Sequence, residues 1–365
     1  MKKGVIIMPY VSGRGGTEKV VHNLFSTFDN DEISLSLLSI GGTEDYKWLR
    51  GVPYTMKKIS NHYYINENKF FRNAFYLVVL PLKLYTYLKH NRPNFVISTN
   101  PVIWYLSKKI LNILGYNVPV IAWYHYSLEQ HPVKSRYLNS ADYFFAISSG
   151  IKKQLVEKGI SSRKIFLIYN PIKTSNRIVP RPTGEARFIY VGRLMLSGQK
   201  NLQELFQALA TVKGKWKLDM YGEIHGEISR RKEILDFVDK LGISDKINWL
   251  GFREKLWDSI PCATALVLTS KYEGLPMVLC EAISHGVYCI SSDIDTGPSD
   301  IIRNGENGKL YCSSNIKQLS TILQRIVDNP GNLPPQETII RSSAKFSLTS
   351  YNKYVSEALN TILCN

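Results

Sequence analysis

The sequence has few cysteines and no long apolar run. Its five cysteines form no C-x-x-C pair and follow no regular spacing, which argues against a disulfide framework and against a zinc site. No stretch reaches the roughly 18 uninterrupted apolar residues that a membrane-spanning helix needs. The apolar run at the start is also too short for the core of a signal peptide. These absences predict a cytoplasmic chain that does not cross the membrane.

Acidic residues are also scarce, since 30 Asp and Glu stand against 46 Lys and Arg and give a formal net charge of +16. The excess is concentrated between Asn61 and Val118, where seven basic residues accompany the single acid Glu67. Aromatic residues lie among the basic ones: Tyr63, Tyr64, Phe70, Phe71, Phe75, Tyr76, Tyr85, Tyr87, Trp104 and Tyr105. This mixture is typical of a surface that lies in a membrane interface, and equally of a core helix with a solvated basic edge.

Short apolar runs recur in two series, and each run is typical of a strand buried on both faces of a parallel sheet. The first series comprises residues 4–9, 95–98, 120–123 and 143–147, and the second comprises 188–192, 216–222, 247–251, 265–269 and 288–292. A helical pattern follows the first run, and we expect further helices after Pro101, Ser149 and Ser162. Alternation of this kind predicts the α/β class with parallel sheets.

A proline-rich segment, residues 170–184, separates the two series and marks a domain boundary. We therefore expect two Rossmann-like domains that face each other across a cleft, at residues 1–172 and 173–345. Residues 346–365 are expected to form a C-terminal helix that packs back on the first domain.

The segment Ser270–Ala282 is the most informative about chemistry. It follows an apolar run, and Pro276 stands where the first turn of a helix should begin. Backbone N–H groups at the start of a helix bind anions. Glu273 would lie in the loop ahead of this helix and Glu281 more than one turn into it, so the two carboxylates could hold different parts of one ligand. The alternative is that Glu281 is solvated and Glu273 only caps the helix.

The first apolar run is followed by a glycine turn that contains Gly15 and Gly16. Residues without a Cβ atom allow the backbone to approach a phosphate closely. The turn does not match the G-x-G-x-x-G pattern of dinucleotide-binding proteins, so by itself it is a weak signal.

Taken in order along the chain, these segments resemble the retaining glycosyltransferases of family four, which have the GT-B fold. Glu273 and Glu281 match the E-x7-E signature of that family. Residues 15–18 resemble its glycine-rich loop, 190–194 its phosphate-binding arginine motif and 304–308 its late turn. More narrowly, four segments resemble the bacterial lipopolysaccharide core α-1,6-galactosyltransferases: residues 141–143, 146–152, 169–171 and 198–200. The resemblance extends over nearly the whole chain.

The resemblance implies that Arg193 and Lys200 bind the diphosphate of a nucleotide sugar, together with Gly15 and Gly16. Fixed cations stabilise the negative charge of a departing nucleoside diphosphate without a metal. In much of the family the arginine and the lysine are closer together, whereas here Met195–Gln199 adds to their separation.

The resemblance also implies roles for the residues that contact the rest of the donor. Glu281 would accept hydrogen bonds from the ribose hydroxyls, and Phe252 lies where the family positions the base. Glu273 and the backbone of Gly274-Leu275-Pro276 would hold the donor sugar. His125 would contact the 6-hydroxyl of the sugar and the acceptor pocket, although a lone histidine after a strand more often has a core or capping role.

The activity implied is transfer of a hexose, galactose before glucose, from a UDP-sugar to a hydroxyl of a lipopolysaccharide core or lipid-linked glycan. The basic aromatic domain would then bind the inner leaflet of the membrane. A relative that uses UDP-N-acetylglucosamine or GDP-mannose, or a UDP-sugar epimerase of the same fold, remains an alternative. A basic nucleic-acid-binding module is a further one, but no zinc-finger spacing, RNP-like strand or recognition-helix signature supports it.

Asp293-Ile294-Asp295 spells D-x-D, the metal signature of a different glycosyltransferase fold. It follows an apolar run and precedes the turn Thr296-Gly297-Pro298, so we interpret it as a loop. We predict that EDTA leaves sugar transfer unchanged, measured as release of UDP. Loss of activity in EDTA that a divalent cation restores would contradict this interpretation.

Overall fold

The computed structural model describes residues 1–13, 15–28, 31–57, 78–173, 176–224 and 228–364. The chain divides into two compact units. Unit 1 consists of Met1–Pro171 with Leu348–Asn365, and unit 2 of Ile172–Ser347. The part of the basic aromatic segment between residues 58 and 77, including Lys69 and Arg72, lies outside the described residues.

Unit 1 is built on a seven-stranded parallel sheet with the strand order β3-β2-β1-β4-β5-β6-β7. The strands are β1 (Lys2–Met8), β2 (Ile33–Ile40), β3 (Tyr54–Lys57), β4 (Phe95–Ser98), β5 (Val120–Trp123), β6 (Tyr143–Ala146) and β7 (Ile165–Leu167). All four residues of β4 and of β5 are buried, as expected for central strands covered on both faces. The sequence predicted β1, β4, β5 and β6 but not the other three strands.

The helices that follow these strands in unit 1 are α1 (Gly16–Thr27), α2 (Leu80–Asn91), α3 (Pro101–Ile113), α4 (Ser135–Leu138) and α5 (Ser149–Glu157). The Asn100 side chain accepts hydrogen bonds from two amides of the first turn of α3, and the Ser148 hydroxyl accepts one from the Ile151 amide at the start of α5. The helix predicted after Ser162 is wrong. Ser162–Lys164 forms a single 3-10 turn, because the chain from Ile165 onward pairs with β6 instead.

Unit 2 contains a six-stranded parallel sheet with the order β10-β9-β8-β11-β12-β13. The strands are β8 (Ala186–Val191), β9 (Trp216–Tyr221), β10 (Ile247–Trp249), β11 (Ala265–Leu268), β12 (Tyr288–Asp293) and β13 (Gly308–Cys312). The chain starts at the central strand β8, runs outward to β10 and returns to β11 on the other side of β8. The neighbours β8 and β11 therefore form the topological switch point of this sheet.

The helices of unit 2 are α6 (Leu202–Ala210), α7 (Ile228–Lys240), α8 (Leu256–Ser259), α9 (Met277–Ser284), α10 (Pro298–Ile301), α11 (Ile316–Asp328) and α12 (Gln336–Arg341). The last helix, α13 (Leu348–Cys364), belongs to unit 1, where it packs against α1 through a buried face that includes Val355 and Leu359. Among the helices of the described ranges, none has the length and apolar character needed to span a bilayer.

Each unit is thus a parallel sheet whose strands alternate with helices, and the prediction of two Rossmann-like domains in the α/β class is confirmed.

The loops that follow β8, β9 and β10 approach one another closely at glycines. The Gly222 amide donates to the carbonyl of Gly251 at 3.0 Å, and the Gly222 φ angle is +146°. A Cβ atom on Gly222 would lie 1.9 Å from the carbonyl oxygen of Gly192. Glycine is therefore required at position 222 for steric reasons in addition to its backbone conformation.

We predict that Gly222→Ala lowers the melting temperature more than Gly242→Ala does, measured by differential scanning calorimetry. Gly242 is a matched control, because its φ of +66° also disfavours a side chain while a Cβ atom there would meet open space. The additional clash should cost roughly 1–3 kcal/mol. Equal melting temperatures for the two variants would show that the loops after β8 and β9 can move apart without loss of folding stability.

Candidate functional site

Three of the residues predicted to bind the donor, Arg193, Lys200 and Glu273, lie in the loops at the carboxyl ends of β8 and β11. The two strands pair in parallel, with Ala265 opposite Phe188, so the loops that follow them emerge side by side. Arg193 lies in the loop after β8, and Glu273 lies in the loop between β11 and α9. Ligands of open α/β sheets bind at this type of position.

Lys200 and Glu273 form an ion pair, with the Lys200 Nζ 2.6 Å from a carboxylate oxygen of Glu273. Their side chains are only 12% and 11% exposed. The sequence interpretation assigned these residues separately, to the diphosphate and to the sugar, and the structure brings them into contact. An ammonium group has three donors, so Lys200 can bind a phosphate oxygen while it still contacts Glu273.

The backbone around Lys200 is fixed by Thr269 at the end of β11. The Thr269 hydroxyl lies within hydrogen-bond distance of two carbonyls, 3.0 Å from that of Lys200 and 3.1 Å from that of Asn201. Asn201 adopts a left-handed conformation with φ of 50°, and its side chain donates to the buried carboxylate of Glu204. Burial raises the pKa of Glu204, while the hydrogen bonds it accepts oppose that rise. The sequence pattern gave no indication of these supporting contacts.

Arg193 is connected to the Glu273 loop through Gln199. Its guanidinium donates to the Gln199 side-chain oxygen at 2.6 Å, and the Gln199 side-chain nitrogen donates to the carbonyl of Tyr272 at 3.1 Å. The Tyr190 hydroxyl donates to the Arg193 carbonyl at 2.8 Å. Although Met195–Gln199 lengthens the spacing between arginine and lysine, the end of this loop therefore links Arg193 to the segment that contains Glu273.

The segment Gly274-Leu275-Pro276, which the resemblance predicts to bind the sugar, packs against the loop after β12. The Thr296 hydroxyl donates to the carbonyl of Glu273, and a Cβ atom on Gly297 would lie 2.5 Å from the Pro276 ring. The helix α9 begins at Met277, so Pro276 immediately precedes the helix and is not its first residue. Glu273 lies in the loop ahead of this helix, as predicted, but its carboxylate contacts Lys200 and does not cap α9.

Glu281 lies more than one turn into α9, as the sequence predicted, and is held by Trp257. The indole N–H of Trp257 donates to a Glu281 carboxylate oxygen at 3.0 Å. Trp257 was not predicted, because α8 is only four residues long and has no motif of its own.

A pocket of about 380 Å³ lies at the carboxyl ends of β8, β9 and β10 and reaches Leu194, the neighbour of Arg193 in sequence. Its lining includes Leu194, Met220, Gly222, Arg231, Trp249 and Gly251. Phe252, predicted to lie near the base, follows Gly251 directly and is 66% exposed. An exposed aromatic ring beside a pocket offers a flat apolar face to a ligand.

In unit 1, the glycine turn before α1 is organised by the buried carboxylate of Glu18. The amides of Gly13 and Gly15 donate to one of its oxygens at 3.0 and 3.3 Å. A Cβ atom on Gly15 would lie 2.5 Å from the other oxygen, while a Cβ atom on Gly16 would meet nothing within 4 Å. Glu18 therefore explains the glycine at position 15, and phosphate binding by Gly15 and Gly16 stays a prediction.

His125 follows β5 in unit 1, with its ring centroid 4.8 Å from that of Trp123. Burial lowers the pKa of His125 to about 3, so the imidazole is neutral at physiological pH. Its Nε2 is buried and has no hydrogen-bond partner among the described residues. A buried, unsatisfied ring nitrogen can donate to or accept from a hydroxyl group of a ligand.

Two cations and two carboxylates therefore lie near the switch point of the second of two Rossmann-like units. This combination of fold and site is the one expected of the GT-B glycosyltransferases that the sequence resembles.

Comparison with known proteins agrees with this class. The family described as Glycosyltransferase Family 4 matches residues 14–176, and the family described as Glycosyl transferases group 1 matches residues 172–346. The lipopolysaccharide 1,6-galactosyltransferase of Escherichia coli K12 is 35% identical over 325 residues, which cover 87% of each chain. The apo structure of the lipopolysaccharide outer core galactosyltransferase WaaB aligns with a TM-score of 0.85 at 32% identity, covering 98% of this chain and 99% of that one.

A more distant solved structure, Anabaena HepE in complex with UDP, has a TM-score of 0.80 at 16% identity and covers 99% of this chain and 100% of that one. At this identity the likeness shows the fold alone. The chain belongs to glycosyltransferase family 4 and is related to the lipopolysaccharide galactosyltransferases.

We predict that Lys200→Met lowers the affinity for UDP and that Glu273→Gln does not, measured by isothermal titration calorimetry. Loss of the Lys200 cation should weaken binding by about tenfold or more, because a charge-assisted hydrogen bond to phosphate is lost. Neutralising Glu273 removes a negative charge beside the phosphate site, so UDP without a sugar should bind equally or more tightly.

Lys271→Met is the matched control for this pair, because Lys271 lies in the same loop with an exposed side chain. It should bind UDP as the wild type does. Weaker UDP binding in Glu273→Gln, or unchanged UDP binding in Lys200→Met, would contradict a phosphate site at Lys200.

Proposed function

We propose that this protein is a retaining glycosyltransferase that transfers a hexose, with galactose as the preferred sugar, from a UDP-sugar to a hydroxyl of a lipopolysaccharide core or similar lipid-linked glycan. The observation that carries the proposal is the contact of Lys200 with Glu273, with Arg193 linked to the same loop through Gln199. The relatives named for 1,6-galactosyl transfer support the sugar and the acceptor, and the HepE complex shows that a protein of this fold can bind UDP.

The proposed reaction depends on charge that develops on the leaving group. As the bond between the sugar and the diphosphate breaks, UDP gains negative charge. Lys200 and Arg193 are cations already held in place by protein contacts, so they stabilise this charge without reorganising.

Glu273 acts in this proposal as a positioning residue and not as a nucleophile. Its carboxylate is paired with Lys200, and its backbone carbonyl is fixed by Thr296, so it is placed to hold sugar hydroxyls. The acceptor hydroxyl attacks the sugar from the same side from which UDP departs, and a β-phosphate oxygen accepts the proton of that hydroxyl. Attack from that side retains the anomeric configuration, without the covalent intermediate of a glycosidase.

The direct test incubates the purified protein with UDP-α-galactose and a lipopolysaccharide core that lacks its terminal galactose. We expect one hexose to be added, detected by mass spectrometry, and an α-linkage, detected by NMR. A β-linked product would contradict retention of configuration. Transfer from GDP-mannose or UDP-N-acetylglucosamine would show that the proposed donor is wrong. Conversion of UDP-galactose to UDP-glucose without an acceptor would identify an epimerase.

We further propose that unit 1 contacts the cytoplasmic leaflet of the membrane that contains the acceptor. Exposed aliphatic side chains lie at and just before the start of α2, with Val78 56% and Leu82 61% exposed. Basic residues accompany them on the same helix, where Lys89 is exposed and its ammonium lies 5.7 Å from the centre of the Tyr85 ring. Apolar side chains beside cations suit an interface with anionic lipids.

We predict that Leu82→Glu lowers binding to vesicles of phosphatidylglycerol and phosphatidylethanolamine by roughly threefold or more, measured by co-sedimentation. The substitution removes apolar area and adds a charge that anionic lipid repels. Val156→Glu is the matched control, because Val156 is an exposed aliphatic residue next to the end of α5 in the same unit. Equal losses in both variants, or no loss in Leu82→Glu, would contradict this surface.

A further inference from the structure

Trp257 connects the short helix α8 to the middle of α9. The side chain is partly buried, and its indole N–H donates to the Oε2 of Glu281 at 3.0 Å. An indole N–H is a hydrogen-bond donor and never an acceptor, so the Glu281 carboxylate must be the acceptor in this contact. The contact therefore fixes the direction of one carboxylate oxygen.

The indole ring is itself held by His285. The two rings are stacked, with centroids 4.7 Å apart and planes inclined by 13°. His285 is only 4% exposed, and its Nδ1 donates to the backbone carbonyl of Glu281 at 2.8 Å. Glu281, His285 and Trp257 thus form a closed set of contacts. The backbone carbonyl of Glu281 binds His285, the His285 ring stacks on Trp257, and Trp257 binds the side chain of Glu281.

This arrangement limits the freedom of the Glu281 carboxylate. The terminal torsion of a glutamate is broad, so an unsupported carboxylate would sample many orientations. Ribose presents two adjacent hydroxyls in a fixed geometry, and a carboxylate accepts from both only when its plane is aligned with them. A preset plane lowers the ordering cost of that recognition.

We propose that Trp257 is a positioning residue that sets the Glu281 carboxylate for the paired hydroxyls of the donor's ribose and so favours ribonucleotides over 2′-deoxyribonucleotides. The proposal rests on the proposed function, because it assumes that Glu281 binds the ribose of the donor. It adds a residue that no part of the E-x7-E pattern contains.

The test measures the affinities of UDP and 2′-deoxy-UDP for the wild type and for Trp257→Phe by isothermal titration calorimetry. Phenylalanine keeps an aromatic ring against His285 and removes the N–H donor together with part of the indole ring system. The wild type should bind UDP about tenfold more tightly than 2′-deoxy-UDP, as expected for one charge-assisted hydrogen bond. In Trp257→Phe, the affinity for UDP should fall severalfold, and the ratio of the two affinities should fall towards one.

The ratio of the two affinities separates a positioning role from a loss of stability, because a destabilised fold would lower the affinity for both nucleotides by the same factor. Trp48→Phe is the matched control, since the Trp48 indole donates to Thr43 in unit 1 at 3.1 Å and lies outside the site. It should leave both affinities unchanged. If Trp257→Phe binds UDP with an unchanged ratio, Trp257 has no positioning role, while the proposed function stands.

The choice of nucleotide distinguishes failure of the Trp257 role from failure of the proposed function. If the wild type binds another ribonucleotide in place of UDP, the donor class is wrong and the same comparison with its 2′-deoxy form decides the role of Trp257. If no nucleotide binds, both proposals fail.

A second measurement covers the case in which Trp257→Phe does not fold. The chain has six tryptophans, each with one indole N–H signal in a nitrogen–proton NMR spectrum. The signal that moves most in Glu281→Gln should also move when UDP is added to the wild type. A UDP-saturated wild type in which that signal is unmoved would overturn the role of Trp257.

Discussion

The parallel pairing of β8 with β11 is the constraint on which the rest of the site depends. Because the two strands run side by side in the same direction, the loop with Arg193 and the loop with Glu273 must leave the sheet at the same edge. The polar groups of these loops then satisfy one another. Thr269 at the end of β11 binds the backbone carbonyl of Lys200, and Gln199 binds the backbone carbonyl of Tyr272, next to Glu273.

The ion pair of Lys200 and Glu273 follows from this geometry and has two consequences. A largely buried ammonium group would be costly without a partner, so the contact with the Glu273 carboxylate compensates for that burial and holds the Lys200 side chain in place. The carboxylate in turn is kept close to the position where sugar hydroxyls would lie. One contact therefore organises both the phosphate side and the sugar side of the proposed donor site, which reduces the rearrangement needed when a ligand binds.

The parts of the fold that the sequence predicted are those with local patterns. The continuous apolar runs of β1 and β8 and the position of Glu281 within a helix depend on neighbours in sequence, and all were found as predicted. The helix expected after Ser162 was wrong because pairing with β6 overrides the local preference. The strand Ile33–Ile40 was missed although it alternates between apolar residues and serine in its first half.

The contacts that complete the site could not be predicted from spacing. Gln199 and Tyr272 are 73 positions apart, and Trp257 and Glu281 are 24 apart, so only the strand order brings them together. The same holds for Glu18, whose presence in the first turn of α1 is visible in the sequence but whose carboxylate turns back to the amides of Gly13 and Gly15. Local motifs thus indicate which residues act, while the topology decides what holds them.

The most direct measurement of the central claim is a crystal structure of the protein soaked with UDP in the absence of metal. We expect a phosphate oxygen within hydrogen-bond distance of the Lys200 Nζ, the Arg193 guanidinium in contact with the diphosphate, and the ribose hydroxyls on Glu281. A UDP molecule bound away from β8 and β11, or a diphosphate that contacts neither cation, would contradict it.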